Sequence, residues 1–331
     1  MGPFLYHTIE MPPKLTLPSA DVVRPYDREL PRLIAKQSKF YWLQNGNVRL
    51  RIMLADAPVD DPRGTLIFCP GRTEFIEKYF ETVEDFLKRG FTILVVDPRG
   101  QGLSDRLLDD RTKSYVKRFQ DYADDLSFAT AQLSSHLPKP HILMGHSMGG
   151  CIALQAVISG VMNPTAIICS APMLGLFDVE TSVLSNVIKI AAMLGFSKRN
   201  LPFQGQKNGL PAEFSGNKLT SDKARFERWA EYFQSTPDLR VGPPTIAWIA
   251  EALRGMAFVN RNADKVKIPG LIIAAGGDPI VDPASNHRFC QSSGLDYKVV
   301  PGALHELFME RDQFRNQFLN EFDAFLERNA L

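Results

Sequence analysis

Two short alternating segments, KFYWL and VRLRIMLAD, flank Gln44-Asn45-Gly46-Asn47. Asn-Gly between segments of this kind predicts a β-hairpin. Further along, apolar runs rich in β-branched residues recur: TLIFC, FTILVVD, HILMG, TAIICSA, GLIIAAG and DYKVVP. They are apolar on both faces, as strands buried between two layers of helices must be. The stretches between them carry helical periodicity over Glu77–Arg89, Tyr115–Leu137, Met148–Ser159 and Arg311–Arg328. Strands alternating with helices imply an α/β fold with a mainly parallel sheet and right-handed crossovers. From Pro172 to about Gly255 the alternation stops, and helix-patterned, Phe- and Trp-containing sequence predicts a helical insertion over one edge of the sheet. The residues up to Ala35 are proline-rich and aperiodic. The expected organisation is an irregular arm over 1–35, an α/β core over 36–171 and 256–331, and a helical cap over 172–255.

Composition narrows the function classes. A chain of 331 residues that is 44% hydrophobic can fill one large core and carry an insertion. Its 38 basic and 37 acidic residues leave a formal net charge of +1, too little field to gather nucleic acid. Cys69, Cys151, Cys169 and Cys290 are widely spaced and form no C-x-x-C pair, so they read as buried free thiols in a reducing compartment. No basic segment followed by an apolar one opens the chain, and Tyr6 breaks the myristoylation pattern. The most lipid-like stretch, SVLSNVIKIAAMLGF, is interrupted by Ser185, Asn186 and Lys189 and is too short to span a bilayer. The expectation is a cytoplasmic protein that uses no metal and no cofactor.

The chemistry centres on MGHSMGG, residues Met144 to Gly150. G-x-S-x-G between a strand and a helix is the nucleophile elbow, whose glycines permit a strained turn that lifts the serine hydroxyl above the sheet. A serine hydroxyl needs a base, and the base needs an orienting acid. Asp278 follows GLIIAAGG at the carboxyl end of a strand, on the sheet edge where Ser147 stands. Asp282, four residues on, reads as the cap of the next helix. Only His287 and His305 follow Asp278. His287 lies in helix-patterned sequence, whereas His305 sits in PGALHELF, the loop after the last strand, where a base would be held. The tetrahedral intermediate calls for two aimed backbone N–H groups. Met148, directly after the serine, supplies one, and Arg72 in PGRTEF, behind Gly71, supplies the other. The side chains of Arg72 and Glu74 then stand beside the site, or form a plain surface salt bridge. Asp97 and Arg99 in VVDPRGQGLSD read as structural, satisfying loop backbone.

At these residues the chain resembles the α/β-hydrolase superfamily, and within it the branch of bacterial lysophospholipases and monoacylglycerol lipases. FCPGRTEFIEKYFE, VVDPRGQGLSD, GHSMGG, GGDPIVD and GALHELFME stand in that family's order and spacing over nearly the whole chain after the arm. The resemblance implies Ser147 as nucleophile, Asp278 as acid, His305 as base and oxyanion amides at Arg72 and Met148. CPGRTE stands where monoacylglycerol lipases have a His-Gly motif, which tilts the match toward the lysophospholipases.

A cap of this character suits a substrate with a long tail. Leu184, Val187, Ile188 and Leu194, with Trp229, Phe233, Trp248 and Phe258, are candidates to line an acyl chamber, and helix-core packing is the alternative for each. The expected function is hydrolysis of monoacyl lipid esters, foremost by a lysophospholipase. Monoacylglycerol lipase, general esterase and proline iminopeptidase activities are the alternatives. The expected partner is a small lipid ester, with peripheral contact of the cap at the inner face of a membrane.

Overall fold

The computed structural model describes residues 31–177, 188, 196–200, 209–211 and 213–331. The hairpin is present as antiparallel strands β1 (Ser38–Asn45) and β2 (Val48–Ala55), with Asn45 opposite Val48. Every apolar run then forms a strand: β3 (Gly64–Cys69), β4 (Phe91–Val96), β5 (His141–His146), β6 (Ala166–Ser170), β7 (Gly270–Ala275) and β8 (Asp296–Val300). They join one eight-stranded sheet in the order β1-β2-β4-β3-β5-β6-β7-β8. β2 runs antiparallel to β4, and every pairing from β4 to β8 is parallel.

The two-sided apolar character of the strands has a direct outcome in the core. Along β3, Leu66 and Phe68 pack into one cluster while Ile67 and Cys69 pack into another, because successive side chains point to opposite faces. The first face is covered by α1 (Arg32–Gln37), α2 (Phe80–Lys88) and the C-terminal helix, Asp312–Arg328. The second is covered by α3 (Gln120–Gln132), α4 (Met148–Ile158) and the later helices Ile246–Arg261 and Pro283–Ser293. In chain order after α4, we name Lys223–Ser235 α5, Ile246–Arg261 α6, Pro283–Ser293 α7 and Asp312–Arg328 α8.

Three boundaries differ from the sequence reading. The first described helix, α1 from Arg32, lies inside the expected arm, because Ile34 is apolar and buries beneath α2. Helix α3 begins at Gln120 rather than Tyr115. The preceding backbone is tied to the cap side instead, with Thr245 donating to the Ser114 carbonyl at 3.1 Å and the Phe119 N–H donating to Glu251 at 3.1 Å. Helix α6 runs through residue 255 unbroken, and its buried face, including Ile249, Met256 and Val259, is continuous with the core under the sheet. A separate aromatic cluster of Phe226, Trp229, Tyr232 and Phe233 packs α5 onto Phe75 and Met309 of the core loops. Among the described residues no helix is long and apolar enough to cross a membrane.

Candidate active site

Ser147 lies in the turn between β5 and α4, with φ +52° and ψ −118°. A non-glycine residue in this region carries on the order of 1–3 kcal/mol of strain and persists only where its surroundings enforce it. The enforcement is visible. The Ser147 N–H donates to Ser170 O at 3.0 Å, and the Ser147 carbonyl accepts from Gly150 and Met173 at 3.0 and 2.9 Å. The flanking glycines are required by space: a Cβ on Gly149 would stand 1.9 Å from Cys69 O, and one on Gly145 would stand 2.4 Å from Gly149 O. The elbow therefore presses α4 directly against the end of β3.

The sheet brings two distant residues to this turn. Asp278 follows β7, and its Oδ1 accepts from the backbone N–H groups of Ile280 and Val281 at 2.8 and 3.0 Å. Its Oδ2 lies 2.6 Å from Nδ1 of His305, in the loop after β8. Nε2 of His305 in turn lies 2.9 Å from Ser147 Oγ. The loop is held from both sides of the histidine, where Leu304 N–H donates to Glu310 Oε1 and Glu306 N–H to Leu219 O, each at 2.8 Å. The two rivals lie elsewhere. Asp282 caps α7 by accepting from Ala284 N–H at 2.9 Å and pairs with Arg288, and His287 is an exposed residue of that helix beside Tyr297.

Ser147 and His305 open into a cavity of about 380 Å³. Its apolar wall includes Met173, Ile188, Trp248, Ile249, Ala252 and Met256, and α6 contributes more of it than any other described helix. Arg72, Glu74, Met148 and Glu306 also line it. Of the chamber candidates, Ile188 and Trp248 are on the wall. Trp229 and Phe233 are not: they are consumed by the α5 aromatic cluster, where Trp229 packs edge-on against Phe226 and Phe233. Phe258 points outward and is exposed. Leu184, Val187 and Leu194 lie outside the described residues.

The sequence matches the family model Hydrolase_4, described as serine aminopeptidase, S33, over residues 60–312. That is most of the chain. It belongs to the Hydrolase_4 family, within the α/β-hydrolase superfamily. The chain is 31% identical over 280 residues to the lysophospholipase L2 of Escherichia coli K12, covering 80% of each protein. It is 24% identical over 262 residues to the monoacylglycerol lipase of Mycolicibacterium smegmatis, covering 77% of this chain and 86% of the other. The fold superimposes on the monoglyceride lipase of Saccharomyces cerevisiae with a TM-score of 0.69 at 20% identity, over 92% of this chain and 99% of that one.

Beneath the serine, this hydrolase buries a charge cluster that sequence reading missed. Arg72 and Glu74 form no salt bridge with one another, and Glu74 is 3% exposed. Its carboxylate accepts from Gly71 N–H and Tyr79 O–H and pairs with Lys78 at 2.6 Å. Lys78 also pairs with Glu306. Burial pushes the Glu74 carboxyl up, but Lys78, His146 and the Tyr79 hydroxyl together outweigh it and hold the group below its ordinary value. Glu306, also buried and facing a second carboxylate, is pushed up. The i,i+4 spacing of Glu74 and Lys78 was a legible signal; the approach of Glu306 from the far end of the chain was not.

The rim beside β4 is partly as read from sequence. Asp97 accepts from the backbone of Ile76 and Leu103, each at 2.9 Å, and also meets Arg51, a buried partner shared with Glu77. Arg99 does not serve loop backbone: its guanidinium forks onto Asp125 of α3 with two contacts of 2.6 Å, since the neighbouring helix offers a carboxylate. Gln101, unremarked in the sequence, donates to Gly71 O at 2.6 Å and accepts from Thr73 N–H at 3.3 Å, which shapes the loop carrying Arg72.

Proposed function

We propose that this hydrolase cleaves single-chain lipid esters, lysophospholipids foremost, through an acyl-enzyme on Ser147. The observation that carries the reading is the continuous hydrogen-bonded chain from Asp278 through His305 to Ser147, opening into an apolar cavity. Ser147 Oγ attacks the ester carbonyl while His305 Nε2 takes its proton; the glycerol oxygen leaves with that proton, and water then releases the fatty acid by the same steps in reverse. Asp278, fixed by two backbone N–H groups, holds the Nδ1–H tautomer and stabilises the imidazolium. The oxyanion is received by the N–H groups of Arg72 and Met148. Both residues line the cavity with Ser147, and neither backbone N–H makes a hydrogen bond among the described residues.

Three observations favour a lipid over a peptide. The cavity wall is largely apolar, and burying acyl methylenes there is worth roughly 0.8 kcal/mol each. The two carboxylates on the wall, Glu74 and Glu306, are already bound to Lys78 and so are poorly placed to receive a substrate ammonium. The relative at 31% identity is named a lysophospholipase. Peripheral membrane contact from the cytoplasm belongs to the same reading: Phe177 and Phe196, which flank residues 178–195, are 55% and 42% exposed, and all four cysteines are free.

One purified sample assayed against lauroyl lysophosphatidylcholine, monolauroylglycerol, p-nitrophenyl esters and proline p-nitroanilide tests this. Lysophospholipid should give the highest kcat/KM, and Ser147→Ala should lower it by ~10⁴ to 10⁶ with the fold intact. Faster turnover of the prolyl substrate than of any ester would overturn the reading.

A further inference from the structure

Among the described residues, the cavity holds one cation that no carboxylate neutralises. Arg72 lies in the loop after β3 and makes no ion pair among the described residues. Its Nη1 donates to Ser114 Oγ and to Gly242 O, both at 3.1 Å, and its guanidinium lies over the Trp248 ring at 5.4 Å. Both Nη1 hydrogens are thus spent on holding the group in place. The opposite edge, carrying Nε and Nη2, makes no hydrogen bond among the described residues, and neither atom is among the fully buried, unpartnered side-chain nitrogens. Burial draws the Arg72 guanidinium down to about 10, as expected for a cation kept from water without an anion beside it. A partly buried cation with no carboxylate beside it is costly, so its retention in a substrate cavity calls for an anion that comes and goes.

We propose that the Nε/Nη2 edge of Arg72 binds the phosphodiester of the lysophospholipid head group and makes Arg72 the residue that selects lysophospholipids over monoacylglycerols. The proposal rests on the lysophospholipase reading above. The free edge of a guanidinium presents two parallel N–H groups that match two oxygens of one phosphate. The sheet puts the loop that carries Arg72 beside the turn that carries Ser147, and both residues line the cavity. Cys69 and Gly145 are register partners on β3 and β5; Arg72 follows Cys69 by three residues and Ser147 follows Gly145 by two. A lysophospholipid carries its ester and its phosphodiester on one glycerol, so one substrate can reach Ser147 and Arg72 together while its tail lies along α6. Monoacylglycerol offers no anion to this edge. Hydrogen bonds to a charged group of this kind correspond to a selectivity of about 10- to 100-fold.

The test compares wild type, Arg72→Gln and Arg72→Lys on lauroyl lysophosphatidylcholine and monolauroylglycerol, below aggregation. The ratio of the two kcat/KM values should fall about 10- to 100-fold in Arg72→Gln and by less in Arg72→Lys, which keeps the charge but not the fork. An equal loss on both substrates would overturn the proposal and leave Arg72 a support of its loop. Wild type that hydrolyses the monoacylglycerol but not the lysophospholipid overturns it as well, and wild type that hydrolyses neither lipid overturns the parent reading. Should Arg72→Gln fail to fold, inhibition of wild type decides: decylphosphocholine should bind at least about tenfold more tightly than decyl maltoside. Equal inhibition by the two, or tighter inhibition by decanoate, would show that no phosphodiester site is present.

Discussion

The ring of His146 lies 4.9 Å from the ring of His305, so two imidazoles stand side by side beneath Ser147. Burial pulls His146 down to about 3, and its Nδ1 meets the Ser170 carbonyl at 3.1 Å. His146 is therefore neutral in the folded protein at ordinary pH, and it adds no positive charge next to His305, the base proposed above.

A pH dependence of stability follows. The folded value of His146 is depressed below its unfolded value, so the unfolded chain binds the extra proton between about pH 3 and 6.5. The stabilisation is fully present above pH 6.5 and is lost as pH falls through that window, by a few kcal/mol at most. Asp97, raised by burial to about 6, titrates nearby with the opposite sign, so the measurement is a difference. Urea unfolding of wild type and His146→Gln at pH 7 and pH 5 should show the gap between the two proteins narrowing at pH 5. A gap that widens would contradict a neutral His146.

Asp278 and Asp282 separate cleanly. Asp278→Asn should reduce kcat by about 10⁴ with KM little changed, because the amide favours the wrong tautomer of His305. Asp282→Asn should keep most of the activity and, as a change of one cap residue for another, shift stability by less than about 1 kcal/mol. Steady-state kinetics and thermal melts on both proteins check this, and the reverse ranking would move the acid to Asp282.

Gly149→Ala should abolish soluble expression or lower Tm by more than 10 °C, since its Cβ would overlap the Cys69 carbonyl, a backbone atom that cannot swing aside. Gly160→Ala, where a Cβ meets open space at a φ of +76°, should be far milder. Comparable losses in the two would mean that the elbow is looser than its contacts imply.

Ala252 is a small, buried residue on the α6 wall, where a larger side chain would take up cavity volume. In wild type, kcat/KM should climb with acyl length by up to about fourfold per methylene until the cavity fills. Ala252→Phe should bring that limit to shorter chains and cut the ratio of lauroyl to butyryl turnover by about tenfold or more. A chain-length series of p-nitrophenyl esters reads this out, and an unchanged profile would place the tail elsewhere.

Much of this protein is legible in its sequence. Two-sided apolar runs can lie only between helix layers, so the sheet and its flanks followed from local periodicity, and the Gly-x-Ser-x-Gly turn located Ser147 because its glycines admit no other residue. The order of Asp278 and His305 after strands β7 and β8 followed too, since parallel strands deliver their carboxyl ends to one edge. What tertiary structure alone decided was pairing. Glu74 was expected beside the site with Arg72 as a possible partner; the fold instead brings Glu306 from the far end of the chain onto the Lys78 that Glu74 pairs with, and among the described residues Arg72 has no anion. Trp229 and Trp248 read alike in sequence, yet one fills an aromatic cluster and the other a cavity wall, because which face of a helix meets which neighbour is set by docking. Periodicity is a property of a dozen neighbouring residues, whereas the partner of a buried charge or ring is chosen among groups hundreds of residues apart, by the desolvation cost of leaving any one of them alone.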